Sequence, residues 1–172
     1  MPGPKSSLRE FSLHFFLWLL LGGWIGSWAG FALLVAPTAF RVLPSTELAG
    51  RFVGPVVSAL HGYGVVAGLL LALLAWILGR GVLLVVLPLA GAAACAYSEL
   101  AITPQIAAIR PLVFGPEGSP ELAARFGHLH QVSLGIFLSV GLSTLWLLAA
   151  HVRADVSRNQ GGLSQATSRR GS

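Results

Sequence analysis

Charge is what this chain has least of. Eleven Lys and Arg and six Asp and Glu make up 10% of 172 residues, against roughly 25% in an ordinary soluble domain. No Asp, Glu, Lys or Arg occurs from Phe11 to Phe40, from Phe52 to Gly79, from Gly81 to Ser98, or from Phe126 to Val152. With 55% of the residues hydrophobic, a water-soluble globule is excluded. Each uncharged stretch approaches or exceeds the roughly 20 residues that cross a hydrocarbon core about 30 Å thick. The pattern predicts an all-α, polytopic integral membrane four-helix bundle with helical segments in its outer loop.

Cysteine is nearly missing as well. Cys95 stands alone, so neither an intramolecular disulfide nor a multi-cysteine zinc site is possible. Its neighbours Ala93, Ala94 and Ala96 mark it as a small packing residue. The motifs of soluble enzymes are also absent: no G-x-S-x-G elbow, no Walker loop, no HExxH and no paired carboxylates within a span. Nothing points to an enzyme.

The net charge of +5 does not make a nucleic-acid footprint, which needs basic residues clustered on one folded face. Here they sit at span boundaries. With the N-terminus inside, Lys5, Arg9, Arg80, Arg153, Arg158, Arg169 and Arg170 fall on the cytoplasmic side and Arg41, Arg51, Arg110 and Arg125 outside. The bias predicts that both termini are cytoplasmic. The first hydrophobic stretch, about 26 residues long, exceeds the roughly 7–15 of a signal-peptide core, so it reads as a retained span.

After a short N-terminus over residues 1–10, the transmembrane domain is expected over 11–151, with spans at about 11–36, 56–79, 82–101 and 130–150. The first span, kinked or ended by Pro37, carries Gly22, Gly26 and Gly30 at intervals of four. In lipid such a stripe of small residues lets another helix approach closely. Ser45 and Glu47 mark a cap-like start for a short amphipathic turn over 46–53, and Pro55 begins or bends the second span. The Gly79-Arg80-Gly81 turn is too short for anything but antiparallel neighbours, which places Arg80 at the cytoplasmic surface. Thr103-Pro104 and Ser119-Pro120 each read as a cap followed by proline at the first helical position. A helix starting at Pro120 and ending near Ala150 would be roughly 46 Å long at 1.5 Å per residue, so its first turns project outside. Residues 152–172, polar and rich in Gly, Ser, Gln and Arg, are expected to form a disordered cytoplasmic tail.

The middle of the membrane holds no ionisable group in this reading, which disfavours ion-coupled pumping. His14 and His151 fall near the cytoplasmic ends. A polar collection gathers instead at the outer ends: Arg41, Arg51, His61, Tyr63, Glu99, Arg110, Arg125, His128 and His130. Either these residues mark the interface and pair structurally, with Glu99 bridging to Arg41 or Arg110, or they converge into an outer site in which Glu99 acts as a base. No cofactor is required. As an alternative, His61 with His128 or His130 would suit the iron of haem b, or another metal, held between helices. Residues two apart on a helix point about 200° apart, so at most one of His128 and His130 faces inward. Packing favours His128, which shares its face with Gly135 and Ser139.

Several segments are similar to one known group. Gly22-Gly23-Trp24-Ile25-Gly26-Ser27, then Ala36-Pro37-Thr38-Ala39-Phe40-Arg41-Val42-Leu43-Pro44, Gly50, Ile102-Thr103-Pro104 with Arg110, and Phe126 with His130 and Ser133 resemble the transmembrane-protein-205-like family, a domain of unknown function, over about residues 15–148. The resemblance implies a four-helix membrane domain, supplies no agreed reaction, and favours His130 over His128; His61 is outside its pattern.

The function expected on these grounds is that of a non-enzymatic accessory or scaffold subunit, whose partners are the lipid bilayer and other membrane subunits or a second copy. The haem or metal protein and a small-molecule transport role through the outer cap stand as alternatives.

Overall fold

The computed structural model describes residues 4–116 and 118–170, with side chains from Leu8 onward up to Arg158 and at Gln160, apart from residue 117. Its elements are α1 (Pro4–Gly30), a π-helical turn (Phe31–Val35), α2 (Ala36–Val42), α3 (Thr46–Ile77), α4 (Val82–Tyr97), a second π-helical turn (Ser98–Ile102), α5 (Thr103–Val113) and α6 (Pro120–Arg170). No strand occurs among the described residues. Four of the resulting rods are long and apolar enough to cross a membrane: Leu8–Val42, Thr46–Ile77, Val82–Val113 and Pro120–Arg158. The protein is an all-α, multi-pass membrane protein.

The rods are longer than the expected spans because prolines do not end them. The Ala36 N–H reaches back to the Phe31 carbonyl and the Thr103 N–H to the Ser98 carbonyl, five residues in each case. Each wide turn lies directly before a proline, Pro37 or Pro104. Proline lacks an N–H and its ring collides with the carbonyl four residues back. A π turn just ahead of it widens the helix where that ladder must break. Pro55 likewise lies inside continuous α3. The chain does stop at Leu43, which is extended with ψ 144° before Pro44, as a residue preceding proline prefers. Ser45 then caps α3 by accepting the Leu48 N–H at 3.2 Å, and Ser119 caps α6 by accepting from Leu122 at 3.3 Å.

α3 and α4 share the most extensive interface, and α1 and α6 close the bundle by touching each other and the α3–α4 pair. The turn between α3 and α4 is tight because Gly79 and Gly81 adopt φ of 60° and 93°, a region open to glycine at no steric cost. Small residues let the backbones meet: Gly64 of α3 lies against Cys95 of α4 and Gly68 against Pro88 and Ala92, while Gly91 of α4 receives the Trp24 ring. Leu17, Leu21 and Trp24 of α1 and Val140 and Leu147 of α6 complete this core. Outward, large apolar side chains are bare, with Val82 and Leu100 each 79% exposed. Such a surface suits hydrocarbon as its solvent.

At the end carrying the termini the turn and α6 are tied together. The Arg80 side chain is fully buried and pairs with Asp155 at 2.5 Å. α6 runs on past residue 152, and Arg158 donates to the Leu78 and Gly79 carbonyls at 2.7 and 3.1 Å, which fixes this length of helix against the turn.

Candidate functional site

At the opposite end of the bundle, α5 folds against the start of α6. Ile102, Ile109 and Leu129 form a small second core, supported by Ile106, Phe126 and Val132. This packing leaves a cavity of about 430 Å³ between α5, α6 and the first half of α3. Its walls are mostly apolar, with Phe40, Val53, Val57 and Ile106 among them, and its polar groups are Ser58, Thr103, Arg110, His130 and Ser133.

Arg110 dominates the electrostatics of this space. Its guanidinium lies along α3 beside two glycines four residues apart. A Cβ at Gly54 would stand 3.4 Å from Nη1, and one at Gly50 would stand 3.9 Å from Nη2. Both are ordinary contact distances, so the guanidinium packs directly on this face of α3. Among the described residues no carboxylate comes within ion-pairing range of Arg110; the ion pairs that form use other groups. His130 is held by stacking on Phe126, with ring centroids 6.2 Å apart and planes 2° apart, and Phe126 meets Phe114 edge-on at 5.8 Å.

Glu99 sits in the second π turn, which aims its carboxylate at α3. Oε1 accepts from the Ser58 hydroxyl at 2.5 Å and Oε2 from the Thr103 hydroxyl at 3.4 Å. The ring Nδ1 of buried His61 lies 3.8 Å from Oε2, beyond hydrogen-bond reach. The expected bridge from Glu99 to Arg41 or Arg110 does not form; the hydroxyls of Ser58 and Thr103 take up the carboxylate instead. Thr103, expected to cap a helix, spends its hydroxyl on Glu99.

The outer polar collection therefore separates. Arg110 and His130 face one cavity, and Glu99 stands behind its wall through Ser58 and Thr103. Arg41, Arg125 and His128 are exposed and do not line it, and Arg51 is paired with Glu47 at 3.0 Å on its own helix. His61 lies in a different, very small space of about 10 Å³ among Trp24, Trp28 and Phe137. The structure thus brings His61 together with neither His128 nor His130, and it is His130, not His128, that faces the cavity. Among the described residues no group of three or more His, Cys, Asp or Glu side chains could hold a metal ion.

The glycine stripe is placed differently from expectation. No atom lies within 4 Å of where a Cβ would stand on Gly22, Gly26 or Gly30, and Gly22 and Gly26 are exposed. α1 packs into the bundle through Leu17, Leu21, Trp24 and Phe31. Gly22 is about 100° around the helix from Leu21, on a face this chain leaves open.

Sequence reasoning did not single out Ser58, Thr103 or Ser133 as members of the site, nor Asp155 at the other end. Ser58 precedes His61 by three residues, a spacing that shares a helix face, and this was a readable signal. Asp155 offered none, being one acidic residue in a polar segment. Compared with family models, with curated proteins and with solved structures, the chain matches none of them.

Proposed function

We propose that the protein is a non-enzymatic membrane component that docks a transmembrane helix of a partner subunit on the glycine face of α1. The observation that carries this reading is the contrast among the glycines. Gly64, Gly68, Gly91 and Gly141 are pressed against Trp24, Pro88, Ala92, Cys95 or Trp28, while Gly22, Gly26 and Gly30 meet nothing and, unlike the isolated open glycines Gly62, Gly127 and Gly135, recur every four residues. A helix interior loses stability at each glycine relative to alanine, by roughly 0.5–1 kcal/mol. Three of them on one open stripe are accounted for by a second helix packing there, where close backbone approach supplies the contact energy that hydrophobicity cannot supply in lipid. Both termini are placed in the cytoplasm in this proposal. Its support is the excess of basic residues in the sequence at that end, Lys5, Arg9, Arg80, Arg153, Arg158, Arg169 and Arg170, over Arg41, Arg51, Arg110 and Arg125 at the other. Membership of the transmembrane-protein-205-like family belongs to the same proposal and rests on the segments quoted above.

The test is purification from the native membrane in a mild detergent. The wild-type chain is expected in a complex of defined composition, and Gly22→Leu with Gly26→Leu is expected to release it as a folded single chain. A wild-type chain that always purifies alone overturns the reading.

A further inference from the structure

The geometry points to a ligand site in the cavity between α3, α5 and α6: it binds a single-chain anionic amphiphile, with the carboxylate or phosphate head on Arg110 and the apolar tail along Val53, Val57 and Ile106. Its volume of about 430 Å³ falls in the lower part of the roughly 300–1,000 Å³ typical of small-molecule sites. That is room for one short chain and not for a two-tailed lipid. Its lining joins an apolar wall to a few polar groups at one side, the division an amphiphile requires.

The sign of the head group follows from the charges. The Arg110 guanidinium presents a planar fork of donors matched to paired oxygens. It lies against Gly50 and Gly54 on α3, and no described carboxylate competes for it. Glu99 does not line the cavity; its carboxylate accepts from the hydroxyls of Ser58 and Thr103 in the wall. Among the described residues Arg110 is the charged side chain that lines the space itself. His130 and Ser133 on α6 add donors across from Arg110.

The experiment uses the full chain in phosphatidylcholine nanodiscs and two photoreactive probes, a diazirine-bearing dodecanoate and its neutral dodecanol counterpart, with labelled residues located by mass spectrometry. The carboxylate probe is expected to label α3 and α5 at the cavity, and Arg110→Gln to lower that labelling about tenfold, in keeping with loss of a charge-assisted pair. Arg51→Gln, outside the cavity, should leave it unchanged. Ile106→Trp, which fills the space but keeps Arg110, should also abolish labelling. Equal labelling by the neutral probe, or labelling indifferent to both Arg110→Gln and Ile106→Trp, overturns the inference. Competition by inorganic phosphate at the probe's own concentration overturns it too, since the head alone would then suffice. Loss of labelling when phosphatidylcholine is replaced by an anionic phospholipid would give the site to a bilayer lipid and overturn the single-chain assignment.

Discussion

Arg80 and Asp155 meet at 2.5 Å across 75 residues of sequence, joining the turn after α3 to the far end of α6. The arginine side chain is wholly buried, while the aspartate keeps 27% of its surface. His14 of α1 lies 3.8 Å from the same carboxylate oxygen, so α1 and the turn after α3 converge on one acidic residue of α6. Arg80 also reaches the His151 carbonyl at 3.5 Å, and its Nε and Nη2 have no other partner among the described residues.

Removing the carboxylate should therefore be costly. A buried cation left without its counter-ion typically costs about 3–5 kcal/mol, and the partial exposure of Asp155 lowers the expectation to about 2–3 kcal/mol for Asp155→Ala. Replacing both partners, Arg80→Met with Asp155→Leu, should recover most of the loss, since no charge then remains to be solvated. Thermal unfolding of the three proteins in one detergent measures it. A double variant as unstable as Asp155→Ala would mean that the pair acts through something other than its charges.

The glycines divide into two classes that mutation should separate. At Gly68 a Cβ would come 2.6 Å from the Pro88 carbonyl oxygen and 2.9 Å from the Ala92 Cβ, both on a backbone that cannot yield cheaply. Gly68→Ala should destabilise by about 1–3 kcal/mol, as overpacking does. Gly22→Ala meets nothing and should be neutral or stabilising, by up to about 1 kcal/mol from helix propensity. Chemical denaturation of the two variants would show the split, and equal destabilisation would contradict the assigned faces.

The helical class and the four membrane-length rods were readable because lipid imposes a simple rule: an uncharged stretch of about 20 residues spans as a helix. The caps at Ser45 and Ser119 were readable for the same local reason. What the composition could not convey was orientation around each helix. Gly22, Gly26 and Gly30 form a stripe in either case, and only the positions of Leu17, Leu21 and Trp24 relative to the other helices decide that it faces outward. Ionic partners were obscure for a similar reason. Glu99 has several arginines nearby in sequence-derived depth, but from the π turn at Ser98–Ile102 it accepts from Ser58 and Thr103. Of the proposed outer site, Arg110 and His130 were identified from sequence as members, and the apolar cavity joining them was not.

His61 offers a direct test of the bis-histidine alternative. Neither ring nitrogen has a hydrogen-bond partner among the described residues, and the space beside the ring, about 10 Å³, holds at most a single water. A haem between His61 and His130 would require the bundle to open. The absorption spectrum of the purified protein should accordingly show no Soret band that depends on His61, and His61→Leu should fold with stability within about 1 kcal/mol of wild type, because it removes an unsatisfied polar group. A stoichiometric Soret band lost in His61→Leu would reverse this conclusion.

Glu99 should behave as a structural acceptor whose charge is unwelcome to the cavity's ligand. Glu99→Gln keeps a carbonyl oxygen for the Ser58 hydroxyl, so the loss of stability should stay near 1 kcal/mol, whereas Glu99→Ala strands the hydroxyls of Ser58 and Thr103 against an apolar wall and should cost about 2 kcal/mol. Ligand binding should move the other way. Neutralising the carboxylate removes a repulsive charge behind the wall, so Glu99→Gln should label more strongly with the photoreactive dodecanoate and no more strongly with the neutral dodecanol probe. The two readouts are independent. A variant that loses stability and gains labelling fits a screened acid beside an anion site, while one that loses labelling would make Glu99 a participant in binding and require the head group to be a cation or a neutral donor.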